Sequence, residues 1–142
     1  MTREPDCAFC DIAAGDESSR EVLRTGGVVA FFPLEPATLG HTLVVPIEHV
    51  RDIWSIDAPT AVSLASACLR LAHAIRRAMN PEGLNVIQSN GEAATQTVAH
   101  LHVHLVPRFV GDAMGRIWPP ESHYSEPAKD IAWDRIRREA TS

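Results

Sequence analysis

The chain has 142 residues, a length that suits one domain spanning 1–142 with enough material to bury a core. Its formal net charge is −5 and no basic run stands out, so the bulk electrostatics give no support for nucleic-acid binding, although a local pocket for a phosphate is compatible with that charge. "MTREPDCAFC" has no apolar signal core, and the longest apolar-rich stretch, 58–79, carries Arg70, His73, Arg76 and Arg77, so neither secretion nor a membrane span is expected.

The three cysteines, an odd count without a signal segment, argue for a reducing, cytoplasmic setting and against a disulfide framework. "DCAFCDIAAGD" predicts a turn and one or two helical turns stopped at Gly15. "EVLRT" and "GVVAFFPLEP" read as strands meeting at Gly26–Gly27, a hairpin signal, with Pro33 and Pro36 ending the second. "GHTLVVPIEHV" is a third strand, closed by Pro46.

The clearest helix follows. Leu64, Cys68, Leu71 and Ile75 share one face, while Ser63, Arg70 and Arg77 share the opposite one. Asp57 or Thr60 supplies a cap, and Asn80–Pro81 ends the helix. Cys68 reads as plain core, and His73 and His123 as structural or exposed. "GLNVIQS" is a strand, "NGEAATQ" a loop, and "TVAHLHVHLVPR" the last strand. "SEPAKDIAWDRIRREA" suits an amphipathic helix beginning near Ser125 or Glu126. The expected fold class is α+β, an antiparallel sheet with one long helix and a C-terminal helix packed on it.

His100, His102 and His104 alternate with Leu101, Val103 and Leu105. In a strand the histidines project together and the aliphatic residues face the core. A merely solvated face would be served equally well by Ser, Thr or Lys. Two chemical readings compete: a row of imidazoles that binds a metal, or one imidazole that attacks an electrophile while its neighbours donate to an anion. The polar loop "NGEAATQTV" just upstream can present donors to phosphate oxygens and favours the second.

The run His100-Leu-His102-Val-His104-Leu-Val fits His-φ-His-φ-His-φ-φ and resembles the signature of the histidine triad (HIT) superfamily. "CAFCDIAAGD", "GHTLVVPIEHV" and "GLNVIQSNGEAATQTVAHLHVHLVPR" follow in that superfamily's usual order, so the resemblance covers most of the chain.

The resemblance implies a hydrolase that cleaves the bond beyond the α-phosphate of a purine nucleotide (AMP- or GMP-like), with His102 forming a nucleotidyl-histidine intermediate. Nucleoside phosphoramidates, aminoacyl-adenylates and dinucleoside polyphosphates are the substrate classes. The carbonyl of His100 would accept the second ring N–H of His102. His104 and His41 would donate to phosphate oxygens. Gln96 and Thr97 would meet the phosphate and leaving group, Asn90 the phosphate or ribose, and Phe31, Phe32 and Leu34 the base and sugar. The superfamily further implies a homodimer, with the segment around Trp118 reaching the active-site mouth.

Cys7-Ala-Phe-Cys10 has too little chain before it for a thioredoxin-type motif. Two thiolates at this spacing can share a zinc, and a structural site needs four ligands. By resemblance to C-x-x-C members of the superfamily, His49 and His100 complete a structural zinc site. Two positions depart from the usual pattern. Pro33 stands where Asp or Asn ordinarily holds the ribose, and Thr95 where glycine is frequent. Pro33 favours the alternative of a non-catalytic, zinc-stabilised nucleotide-binding or interaction protein.

Overall fold

The computed structural model describes residues 3–142. Helix α1 (Ala8–Ala14) ends at Gly15, whose φ of 81° satisfies a left-handed C-cap. Strands β1 (Glu21–Thr25) and β2 (Val28–Phe31) form an antiparallel hairpin across Gly26–Gly27. Both glycines have positive φ (55° and 80°), the conformation that a two-residue primed turn demands. Strand β3 (Thr42–Pro46) precedes helix α2 (Ala58–Met79), and strand β4 (Gly83–Gln88) is followed by a short 3-10 turn at Glu92–Ala94. Strand β5 (Val103–Arg108) and helix α3 (Glu126–Ala140) complete the chain.

The five strands lie in the order β1-β2-β3-β5-β4, each pair antiparallel. The expected α+β class with an antiparallel sheet is therefore what the chain forms. The sheet buries both faces. Val28, Ala30, Val44, Leu101, Val103 and Leu105 meet Leu64, Ala67, Leu71 and Ile75 of α2 on one side. Val29, Phe31, Leu43 and Val45 meet Phe9, Cys10 and Ala13 of α1 on the other.

Asp57 caps α2 by accepting from the Thr60 amide (2.8 Å), and Asn80 ends it in the left-handed region. By length and composition alone α2 passes the test for a membrane-crossing helix, a test that the packed helix of a core also passes; its Arg70, His73, Arg76 and Arg77 are exposed. Its apolar stripe is spent on packing instead, with Leu64, Ala67, Leu71 and Ile75 all buried.

Two expectations need correction. Strand pairing in β5 begins at Val103, so Thr97–His102 are outside the ladder. The Leu101 amide donates to the Val50 carbonyl (2.6 Å) and the His100 carbonyl faces a side chain, so neither joins a regular strand pair. Helix α3 forms where predicted, capped by Ser125, but it buries no residue and does not pack on the sheet. Ile131, Trp133 and Ile136 remain 56%, 66% and 69% exposed. Between β5 and α3 the Arg108 guanidinium holds Asp112 (2.8 and 3.0 Å), Asn85 (2.7 Å) and the Gly115 carbonyl (2.7 Å).

Candidate active site and metal centre

The three alternating histidines share the α1 side of the sheet, although only His104 lies in the ladder. Pairing sets His104 opposite Leu43 on β3, and His41 lies two residues before Leu43 on the same face. The rings line up: His41 to His104 centroids are 5.2 Å apart, and His104 to His102 4.9 Å.

Main-chain partners determine the proton positions. The Nδ1 of His102 lies 2.7 Å from the His100 carbonyl oxygen. A carbonyl only accepts, so Nδ1 carries the hydrogen and Nε2 of the neutral ring keeps its lone pair. At His41 the logic runs the other way. The Ala37 amide donates to His41 Nδ1 (3.0 Å), so the hydrogen of neutral His41 sits on Nε2. That Nε2 is 2.9 Å from His104 Nδ1 and donates to it. His104 is left with its hydrogen on Nε2, available to an incoming anion.

Burial lowers the pKa of His41. It brings that of His104 down to about 4, helped by the neighbouring His102 and His41. Both rings are therefore neutral near pH 7, and the tautomer assignment holds. The turn that offers the Ala37 amide is fixed from below: Thr38 donates its hydroxyl to the Pro107 carbonyl (2.6 Å). Gly40 lies close against the same strand with φ of 90°, a conformation that favours glycine, and a Cβ there would crowd Pro107 Cγ at 3.1 Å and Met79 Cγ at 3.2 Å.

Both nitrogens of His41, the residue expected at the phosphate, are engaged within the protein, Nδ1 by the Ala37 amide and Nε2 by His104 Nδ1. Gln96 is similarly engaged. Its amide donates to the carbonyls of Arg51 (2.8 Å) and Val98 (3.0 Å) and accepts from the Gly91 amide (2.8 Å), which ties the polar loop together. Asn90 accepts from the Ile53 amide (2.7 Å) and pairs with the Gln88 amide group. Thr97 is exposed beside this loop. Thr95 adopts φ of 68°, a left-handed conformation unfavourable for a β-branched residue. Phe31 is core, in edge contact with Phe9 (5.5 Å); Phe32 is half-buried and Leu34 is 91% exposed. Trp118 lines a cavity with Asn85 and Arg108 at the far end of β5, so within one chain it does not reach the histidines.

The second cluster lies directly behind the first. Ligand atoms of Cys7, Cys10, His49 and His100 all fall within 4.8 Å of one another. Nδ1 of His100 is 3.5 Å from each thiol sulfur, and Nδ1 of His49 is 3.3 Å from Cys10 Sγ. A tetrahedral zinc with ordinary Zn–S and Zn–N bonds has S···N edges of about 3.6 Å, so this donor set fits the ion in chemistry and in dimensions. The His100 Nε2–H donates to the Pro46 carbonyl (2.8 Å), which leaves Nδ1 as the free ligand atom, the arrangement typical of a metal-bound imidazole. A cleft of about 700 Å³ lined by Cys7, His49, Arg51 and Thr97 runs from this cluster to the polar loop.

Sequence reasoning missed Phe9. It projects from α1 with its ring edge-on to His102 (5.1 Å) and to His100 (5.9 Å), joining the two clusters. The available signal was its place between two cysteines on a short helix. The Ala37 amide and Pro46 carbonyl were also missed, since peptide groups leave no mark in a sequence.

Comparisons with known proteins show the family of the chain. The HIT domain profile matches residues 14–111. Protein hit of Bacillus subtilis is 36% identical over 140 residues, covering 96% of this chain and 97% of that protein. The adenosine 5'-monophosphoramidase hnt1 of Schizosaccharomyces pombe is 33% identical over 114 residues, covering 80% of this chain and 83% of that protein. Among solved structures, SMU.412c from Streptococcus mutans superposes with a TM-score of 0.87 at 37% identity, covering 98% of this chain and 87% of that one. A zinc-bound histidine triad family protein from Mycobacterium smegmatis superposes with a TM-score of 0.73 at 30% identity, covering 94% and 97%.

Proposed function

Because this chain belongs to the HIT domain family, a family of nucleotide-binding proteins, we propose that it is a nucleotide hydrolase acting through His102. Its substrate is a purine nucleotide conjugate: a nucleoside phosphoramidate, an aminoacyl-adenylate or a dinucleoside polyphosphate. The observation that carries this reading is the 2.7 Å bond from His102 Nδ1–H to the His100 carbonyl, which leaves Nε2 as the nucleophile.

Nε2 of His102 attacks the α-phosphorus, and the bond to the leaving group breaks with its electron pair. The charge gained by the imidazole is stabilised at Nδ1–H by the His100 carbonyl. His104 Nε2–H donates to a phosphate oxygen as negative charge builds there. Water then attacks the phosphorus, the P–N bond to His102 breaks, and the nucleoside monophosphate leaves. The departing amine, amino acid or nucleotide takes up whatever proton it needs from solvent in the first step, and the attacking water releases a proton to solvent in the second, so the net change is addition of one water. Gln96 and Asn90 hold the loop that presents Thr97, and Phe32 and the exposed Leu34 offer apolar surface to the base.

A structural zinc on Cys7, Cys10, His49 and His100 belongs to the same reading and, when bound, supplies a cross-link between α1, the segment after β3 and the entry to β5. Support comes from the ligand distances and from the zinc-bound relative. A homodimer and a cytoplasmic setting complete the proposal.

Incubation with an adenosine phosphoramidate tests it. Wild-type protein is expected to release AMP and to show a nucleotidyl adduct by intact mass, and His102→Ala to bind AMP without turnover. A second reading, non-catalytic nucleotide binding, is favoured by Pro33, which offers no acceptor for a ribose. AMP binding by wild type with neither release nor adduct across the three substrate classes would decide for it.

A further inference from the structure

The polar loop from Gly91 to Gln96 is held by few contacts. Residues 91–95 are all exposed, so apolar packing does not secure them. Its main-chain bonds close on the loop itself. The Ala94 and Gln96 amides donate to the Gly91 carbonyl (3.2 and 3.1 Å), and the Thr95 amide donates to the Glu92 carbonyl (2.9 Å). Among the described residues, the Gln96 side chain is the one group of 91–96 that hydrogen-bonds beyond the loop, donating to the carbonyls of Arg51 (2.8 Å) and Val98 (3.0 Å). Its oxygen turns back to accept from the Gly91 amide (2.8 Å).

Both ends of the loop are left-handed, with φ of 87° at Gly91 and 68° at Thr95. Glycine adopts that conformation freely. A β-branched residue does so under strain and keeps it only where surrounding bonds over-determine the backbone. The Thr95 hydroxyl bonds the adjacent Ala94 carbonyl, within the loop, so the restraint comes from the next residue, Gln96. The anchor point matters. Arg51 follows Val50, whose carbonyl receives the Leu101 amide (2.6 Å) beside His102. Arg51 and Thr97 line the same cleft of about 700 Å³, so release of Gln96 frees one wall of it.

We propose that Thr95 and Gln96 are an opposed pair, a spring and a latch, that sets how often this loop opens and so how fast a nucleotide leaves. Gln96 acts as a positioning residue, and Thr95 biases the loop toward opening. The loop balance is a property of the free protein; its consequence for nucleotide exit rests on the proposed nucleotide hydrolase.

Amide hydrogen exchange of the full chain, read by NMR as protection factors at positions 91, 94, 95 and 96, tests the pair. Thr95→Gly relieves the strain and should raise protection about tenfold. Thr95→Ala keeps a strained φ, loses the hydroxyl and should stay near wild type. Gln96→Ala should lower protection about tenfold, and Thr95→Gly combined with Gln96→Ala should return toward wild type. Thr95→Asn, which accepts the same φ with less added freedom in the open loop, repeats the first comparison. Gln96→Glu, which keeps the Gly91 contact and loses both outward donors, stands in if Gln96→Ala does not fold. Stopped-flow release of AMP should slow in Thr95→Gly and quicken in the Gln96 variant. Protection unchanged in both Thr95→Gly and Thr95→Asn, protection raised as much by Thr95→Ala, or a loop indifferent to loss of the Gln96 donors overturns the proposal. So does AMP release that ignores the changes in protection. A protein that binds no AMP sinks the proposed function, while the exchange data still decide whether spring and latch exist.

Discussion

His102 Nδ1 donates to the carbonyl oxygen of His100, two residues back along its own chain, across 2.7 Å. An asparagine at 102 can present an N–H at nearly the Nδ1 position and has nothing equivalent to Nε2. His102→Asn should therefore keep its melting temperature close to wild type and lose turnover by about a thousandfold or more. Loss of turnover accompanied by collapse of the thermal transition would show that the ring is chiefly structural.

Ala37 acts through its amide alone. Ala37→Pro removes the donor that keeps His41 Nδ1 unprotonated, and frees both His41 and His104 to change tautomer. The expected cost is about a hundredfold in rate, the scale of losing one donor to developing charge. Ala37→Gly keeps the amide and should stay near wild type. A steady-state comparison of the two checks this, and equal losses would show that the turn matters only for packing.

The pH dependence follows from the depressed pKa of His104, about 4 in the fold against an ordinary 6.5. Between those values the unfolded chain binds more protons than the folded one, so stability rises with pH there. The contribution is fully present above pH 6.5 and is lost as pH falls toward 4. His41 shifts in the same direction. Urea midpoints measured from pH 7.5 to 4.5 should fall below about pH 6.5, and His104→Gln should flatten part of that slope. An unchanged slope in the variant would place the sensitivity elsewhere.

Chelation at neutral pH should lower the melting temperature by about 10 °C or more, since binding energy at a structural site is folding energy. Zn²⁺ should restore it, and Cys10→Ser should resemble the chelated protein. Prompt, reversible loss of activity with no change in melting would instead assign the ion to catalysis.

Much of this fold is visible in the residues because its signals are local. Asp57, the stripe from Leu64 to Ile75 and Asn80 mark α2 from cap to cap, and Gly26–Gly27 marks the hairpin. The three histidines and two cysteines also identify themselves by spacing. The less legible features depend on contacts distant in sequence. Alternation at 97–102 imitates a strand, yet the segment lacks ladder bonds because Leu101 N–H finds Val50. The amphipathic pattern of α3 specifies a helix and an apolar face, but not whether its own sheet receives that face. The hydrogen bond from the Ala37 amide to His41 Nδ1 likewise depends on a turn whose path the residue types do not spell out.

The rings of His102 and His41 each take their proton position from a peptide group: the carbonyl at 100 and the amide at 37. Such groups do not titrate in the working range, and nearly every amino acid supplies them. Residue identity at position 37 can drift while the site's proton pattern persists. Conversely, two chains with identical histidines could differ in reactivity through a small change in the path of residues 36–40. Here the proton pattern of the site is inherited from a backbone trajectory, and comparing side chains alone would understate what preserves it.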